Sequence, residues 1–171
     1  MDNLTEVISS ATCHPTHCSL FAYSTSRGIT TLSDLRVSAR STPCRSMIVE
    51  INWTVAFQDQ ENSTESELAD LVSTVSSIKF TRTEVKMRWC VAGGRFFLTR
   101  DFLTVRVWDM YMEREPLQVL PVHESLRKQY MKWGESDLFF DRFNVGISGD
   151  GRNFITGSYQ NTFHVCIEEP N

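Results

Sequence analysis

The sequence has no surplus of positive charge. Its 17 Lys and Arg are outnumbered by 21 Asp and Glu, for a formal net charge of −4, so there is no basic field to hold a phosphate backbone and no nucleic-acid partner is expected. Long apolar runs are missing too. Nothing approaches the roughly 20 apolar residues of a membrane-spanning helix, and the opening MDNLTEVISS has neither the positive start nor the continuous apolar run of a secretory signal. No membrane partner is expected, and the chain reads as cytoplasmic or nuclear. Its five cysteines are odd in number and irregular in spacing, which in such a compartment makes them reduced thiols and not a disulfide framework. Catalytic signatures are also absent: there is no Gly-x-Ser-x-Gly elbow, no His-Glu-x-x-His and no glycine-rich phosphate loop. Neither catalysis by this chain nor a cofactor is expected.

What remains is an ordinary globular composition, 41% hydrophobic and 22% charged over 171 residues, enough for one domain or a small array of repeats. Three stretches share a grammar: LFAYSTSRGITTLSDLR (20–36), RFFLTRDFLTVRVWDM (95–110) and RNFITGSYQNTFHVCI (152–167). In each, a short apolar run ends in Ser or Thr, a polar turn follows, and a β-branched or aromatic alternating run comes next, which is a hairpin. Period-2 alternation places Val105 and Val107 on one side and Thr104, Arg106 and Trp108 on the other. Two hairpins close with an aspartate, in Ser33-Asp34 and Trp108-Asp109.

A further candidate strand precedes each hairpin: Val7 to Cys13, Ser77 to Phe80, and Asp141 to Val145, the last leading into the turn Ser148-Gly149-Asp150-Gly151. Strand, turn, strand, turn, strand is most of a propeller blade, and the Trp-Asp dipeptide fits the WD repeat. The expected fold is therefore all-β, a WD40 β-propeller fragment of about three blades, each a four-stranded antiparallel sheet. Its expected parts are a blade over 1–36, an insertion loop over 37–72, a blade over 73–110, a connection over 111–138 and a blade over 139–167. Asp34 and Asp109 lie 75 positions apart, more than the roughly 40 to 45 of a plain WD repeat, so an insertion is required. The acidic run DQENSTESE (59–67) suits a solvated loop. In the connection, ESLRKQYMKWGE (124–135) puts Leu126, Tyr130 and Trp133 on one helical face and predicts a short helix.

One stretch is dense in metal donors: CHPTHC, with Cys13, His14, His17 and Cys18. Structural zinc sites draw ligands from two separated pairs, and no CxxC or HxxxH lies elsewhere; Cys44, Cys90, Cys166, His123 and His164 are isolated. Pro15 biases His14 toward the extended form, so Cys13 and His14 point to opposite sides. The expected roles are structural: Cys13 ends a blade's inner strand, His14 and Pro15 begin the turn, Cys18 lies in it, and no metal is bound. Asp101, Asp109, Glu113 and Glu115 could be cast as acid/base pairs, but a structural reading suits them better: Asp109 closes a strand, and the run Glu113 to Glu115 is a solvated loop.

Taken together, the motifs resemble the WD40-propeller B-type regulatory subunits of protein phosphatase 2A. The resemblance is carried, in order, by LTEVISSATCHP (4–15), FAYSTSRGITTLSDLR (21–36), VSSIKF (75–80), TRDFLTVRVWDMYMEREPLQ (99–118), VHESLR (122–127), FFDRF (139–143) and SGDGRNFITGSYQNTFHV (148–165). That family is built as a seven-bladed propeller, of which this sequence looks like about three consecutive blades. Two segments depart from the family pattern, MIVEINWTVA (47–56) and EVKMRWCVA (84–92), read either as loop insertions or as retained intron sequence.

The resemblance implies a non-catalytic subunit that joins the phosphatase scaffold subunit and catalytic subunit and recruits phosphoprotein substrates. Two alternatives stand beside it: a truncated or mis-spliced product without independent function, and a zinc-binding domain built on CHPTHC. Residue by residue, Asp101 matches a family aspartate used in substrate binding, and Arg106 stands where the family usually has Lys, a change that alters hydrogen-bond geometry. Phe102 offers apolar contact beside them. Trp108 and Asp109 are assigned to structure, Trp108 packing between blades.

Overall fold

Alternating apolar and polar residues become strands in ten places. The computed structural model describes residues 6–36, 74–81, 95–112, 115–123, 141–149, 153–159 and 161–167. The strands are β1 (Ile8–Cys13), β2 (Leu20–Thr25), β3 (Thr30–Asp34), β4 (Ser77–Phe80), β5 (Phe96–Arg100), β6 (Thr104–Asp109), β7 (Gln118–Pro121), β8 (Val145–Ile147), β9 (Asn153–Gly157) and β10 (Phe163–Ile167). Among the described residues there is no helix; the one expected at 124–135 lies outside them, as do both departures at 47–56 and 84–92.

Every pairing is antiparallel between chain neighbours, which gives three meandering sheets: β1-β2-β3, β4-β5-β6-β7 and β8-β9-β10. The first strands β1, β4 and β8 lie side by side, each sheet packing on the next. This is an all-β arrangement of propeller blades. Sheet 2 has four strands, and sheets 1 and 3 have three each among the described residues.

Paired serines fasten the inner strands to one another. Ser9 Oγ donates to the Val75 carbonyl at 2.6 Å, and the Ile78 N–H donates to Ser10 Oγ at 3.2 Å. One sheet on, the pattern repeats: Ser76 Oγ donates to the Phe143 carbonyl at 2.7 Å, and the Val145 N–H reaches Ser77 Oγ at 3.4 Å. The shared Ser-Ser of ISSATC and VSSIKF is thus an inter-sheet clasp. It satisfies backbone groups that the inner edge of each sheet leaves without a strand partner.

The core forms in two layers between sheets. Ala22 of sheet 1 meets Val75, Ile78, Phe80, Phe97 and Trp108 of sheet 2. On the other side, Leu98, Val105 and Val107 of sheet 2 meet Val145 and Phe154 of sheet 3. Sheet 2 is therefore covered on both sides, and all five residues of β5 are buried. Alternation puts Val105 and Val107 toward sheet 3 and Trp108 toward sheet 1, because successive strand residues point to opposite sides.

Candidate functional site

The tip of the β5–β6 hairpin holds the three residues expected to meet a substrate. Its turn is built by Asp101, whose Oδ1 accepts the Leu103 N–H at 2.8 Å and the Thr104 N–H at 2.6 Å. Oδ2 accepts the Thr104 hydroxyl at 2.6 Å and lies 3.4 Å from Arg106 Nε, which also donates to Thr104 Oγ1 at 3.1 Å. A short carboxylate that bonds backbone amides two and three residues ahead is the usual way Asp shapes a turn. The Asp101 side chain is 1% exposed and that of Arg106 13%. Burial pushes the Asp101 carboxyl above its ordinary value, opposed by the Thr104 hydroxyl, the Arg106 charge and the turn amides. The structure thus brings Asp101 and Arg106 together as an ion pair within their own hairpin. Phe102, half-buried, leans away from them toward sheet 3, its ring 5.7 Å from His123 and 6.1 Å from Tyr159.

Beside this tip lies a cluster the sequence did not announce. Arg100 is wholly buried. Its Nε donates to Thr156 Oγ1 at 3.2 Å, and its Nη1 donates to the Asp101 carbonyl and, at 3.3 Å, to that of Thr104. Its guanidinium lies over the Phe143 ring, 5.9 Å from the centroid. Burial lowers its pKa to about 10, against the raising effect of the Asp101 charge, so it remains a cation at neutral pH.

His123 completes the cluster. Its Nδ1 lies 2.8 Å from the Phe102 carbonyl, an oxygen that only accepts, and 3.3 Å from Arg100 Nη2, which only donates; the shorter contact places the proton on Nδ1, so Nε2 accepts from the Ser158 hydroxyl at 2.9 Å. Rings of Phe102, Phe143 and Tyr159 enclose it at 5.3 to 5.7 Å. Burial lowers its pKa to about 4, aided by the Arg100 and His164 charges and opposed by the bond to Phe102. Arg100 to Thr156 and His123 to Ser158 are two polar ties from sheet 2 to sheet 3. Sequence reasoning missed both: a charged residue at a strand end and a lone histidine carry no local sign that they will converge. The one available hint was Arg100 inside the apolar run FFLTRDFL.

At the opposite end of the sheets the assigned structural residues make their own contacts. Asp109 is 2% exposed and takes a forked bond from Arg95, Nε at 3.0 Å to each oxygen and Nη2 at 2.5 Å to Oδ2. Burial works to raise its pKa, but the Arg95 bonds and the Tyr111 N–H outweigh it, and the carboxyl titrates below its ordinary value. Trp108 stacks on Phe97 with centroids 6.3 Å apart and donates its indole N–H to Thr99 Oγ1 at 2.8 Å. In sheet 1 the closing Asp34 is held in the same forked fashion, by Arg36.

CHPTHC forms the β1–β2 turn. β1 ends at Cys13, and His14 Nδ1 accepts the N–H groups of Thr16 at 3.2 Å and His17 at 3.0 Å. Its ring is buried against Phe80 at 5.0 Å, while Pro15, Cys13 and Cys18 are exposed. Because the Nδ1 lone pair caps the turn, it is not offered to a metal. Among the described residues no three His, Cys, Asp or Glu side chains converge as a metal-binding group.

No family model matches the chain. Curated proteins do. The chain is 37% identical over 166 residues to the serine/threonine-protein phosphatase 2A regulatory subunit phr2AB of Dictyostelium discoideum, a match covering 96% of this chain and 30% of that protein. It is 37% identical over 163 residues to the serine/threonine-protein phosphatase 2A regulatory subunit sur-6 of Caenorhabditis elegans, covering 95% and 29%. Against the protein phosphatase PP2A 55 kDa regulatory subunit of Drosophila melanogaster it is 35% identical over 166 residues, covering 96% and 30%. The chain spans less than a third of the length of these curated relatives.

Proposed function

Because the chain is homologous over nearly its whole length to part of the 55 kDa class of protein phosphatase 2A regulatory subunits, we propose that it serves as a non-catalytic regulatory element of that phosphatase. Dephosphorylation belongs to a separate catalytic subunit, and this chain helps recruit and orient phosphoprotein substrates on an assembly organised by the scaffold subunit. The homology is the observation that carries the reading. Five cysteines, odd in number and irregular in spacing, suit residence in the reducing cytoplasm or nucleus.

Within this reading the β5–β6 tip is the recognition element. Loops on a rigid sheet scaffold commonly carry binding, and here Asp101 sets the hairpin's shape while Phe102 and Arg106 present an apolar surface and a cation. The Asp101 carboxylate is buried and bonded to the Leu103 and Thr104 amides, the Thr104 hydroxyl and Arg106, so its part in recognition is to hold the shape of the tip.

The test is co-purification. The tagged 171-residue chain is mixed with purified phosphatase 2A scaffold and catalytic subunits, and a ternary complex is expected; absence of any complex at micromolar concentrations defeats the reading. In the complex, Phe102→Ala with Arg106→Gln should reduce capture of phosphoproteins and leave scaffold capture intact. Equal substrate capture by the variant would remove the hairpin tip from the proposal while leaving the regulatory role.

A further inference from the structure

The backbone of the β5–β6 tip is gripped from two directions. Asp101 takes its amides, those of Leu103 and Thr104. Its carbonyls are taken by other groups: Arg100 Nη1 donates to those of Asp101 and Thr104, His123 Nδ1 to that of Phe102 at 2.8 Å, and the Val122 and His123 N–H groups to that of Leu103 at 2.9 and 3.1 Å. Two of these donor side chains also reach sheet 3, at different places. Arg100 meets Thr156 within β9, whereas His123 meets Ser158, the first residue beyond β9 and the neighbour of Tyr159.

The β9–β10 tip that His123 reaches is fixed in its own right. The Ser158 N–H donates to the Thr162 carbonyl at 3.0 Å, the Thr162 hydroxyl donates to the Tyr159 carbonyl at 2.8 Å, and Asn161 takes the left-handed φ of 56° that closes the turn. Phe143 meets the Tyr159 ring edge-on at 5.0 Å, in space that Gly157 leaves open, since a Cβ there would come within 2.9 Å of Phe143. Ser158 and Tyr159 thus make a ledge, and Phe102 rests on it, its ring 6.1 Å from Tyr159 and 5.7 Å from His123. Phe102 is held by its ring and, through His123, by its carbonyl.

We propose that His123 is the positioning residue of the recognition tip, a strut from the β9–β10 tip that fixes how Phe102 is presented to a substrate. The inference rests on the reading of the β5–β6 tip as the recognition element. His123 is itself 2% exposed, so it touches no substrate and acts only through Phe102. A neutral imidazole suits this post, because it donates from one edge and accepts at the other and so ties the Phe102 carbonyl to the Ser158 hydroxyl through one rigid ring. Without that donor the Phe102 carbonyl has to turn toward another, and the turn takes the ring off its ledge.

The ternary complex with the phosphatase 2A scaffold and catalytic subunits is assayed on serine-phosphorylated casein, with kcat and KM read separately and the Phe102→Ala, Arg106→Gln variant run in parallel. His123→Leu fills the cage and makes neither bond; it should raise KM about tenfold and leave kcat within about twofold of the parent. His123→Asn sets an amide N–H where Nδ1 stands and should recover most of that loss, although it no longer reaches Ser158. Ser158→Ala leaves the bond to the Phe102 carbonyl in place and should raise KM less than His123→Leu does. A parental KM in His123→Leu overturns the proposal. So does equal impairment of the Leu and Asn variants, or a loss of kcat and of scaffold capture that matches the rise in KM, since these are the marks of a purely structural role. The recognition reading survives such results as long as the Phe102→Ala, Arg106→Gln variant raises KM; a parental KM in that variant removes the reading and the positioning role together.

Discussion

Trp108 is gripped by unlike chemistry on its two flanks: a ring stacked on Phe97 and a hydroxyl, Thr99 Oγ1, that takes its indole N–H. Removing the side chain deletes both and opens a void between sheets 1 and 2, so Trp108→Ala should cost about 3 to 5 kcal/mol of unfolding free energy by urea titration. Trp108→Phe keeps the stacking and should lose less, chiefly the bond that Thr99 then lacks. His123 makes a prediction of a different kind. Folding holds its pKa at about 4 against an ordinary value of 6.5, so between those values the unfolded chain binds a proton that the folded chain refuses. Stability is fully present above pH 6.5 and falls as pH drops through the window toward 4, by on the order of 2 kcal/mol. His123→Gln should flatten that part of the stability-versus-pH curve relative to the parent; an unchanged slope would mean that the imidazole is not held neutral by its cage. Asp101 shows where residue-level reading stops. The family resemblance marks it as a substrate-binding carboxylate, yet nothing local says that its oxygens turn inward to the Leu103 and Thr104 amides, since period-2 alternation orders strands and is silent on turns.

Strands and hairpins were the legible part of this chain, for a physical reason. A strand's side chains alternate between two environments, and that alternation is written directly into TVRVWD and FHVCI. The serine clasps were not legible, because Ser9, Ser10, Ser76 and Ser77 look like ordinary polar strand residues until the neighbouring sheet supplies Val75, Ile78, Phe143 and Val145. Their use between sheets gives an element-scale prediction. Ser76→Ala removes the donor to the Phe143 carbonyl and should cost about 1 to 2 kcal/mol, the value of a partly buried hydrogen bond whose partner is left behind. The loss should show in hydrogen exchange first at the β4–β8 junction and only later in sheet 1. Equal loosening of all three sheets would mean that the clasp is not what joins the second sheet to the third.

At the scale of the whole molecule, stability resides in the layers between sheets more than within any one of them. Sheet 2 is covered on both sides, whereas sheets 1 and 3 each keep one open side among the described residues. In such an array each unit leans on its nearest neighbours, so the same side chain should matter according to whether a neighbour covers it. Leu98 and Ile155 provide the comparison, since they occupy the same register position in successive sheets, one 3% and the other 46% exposed. Leu98→Ala should cost about 2 to 5 kcal/mol and Ile155→Ala less than about 1 kcal/mol when both are unfolded in urea at concentrations where the chain is monomeric. Amide exchange should follow the same order, slowest in β5 and fastest in β1 and β10. A comparable cost at the two positions in the dilute chain would show that sheet 3 is covered from within, and the account of stability as a sum over sheet-to-sheet layers would then need a further layer beyond β10.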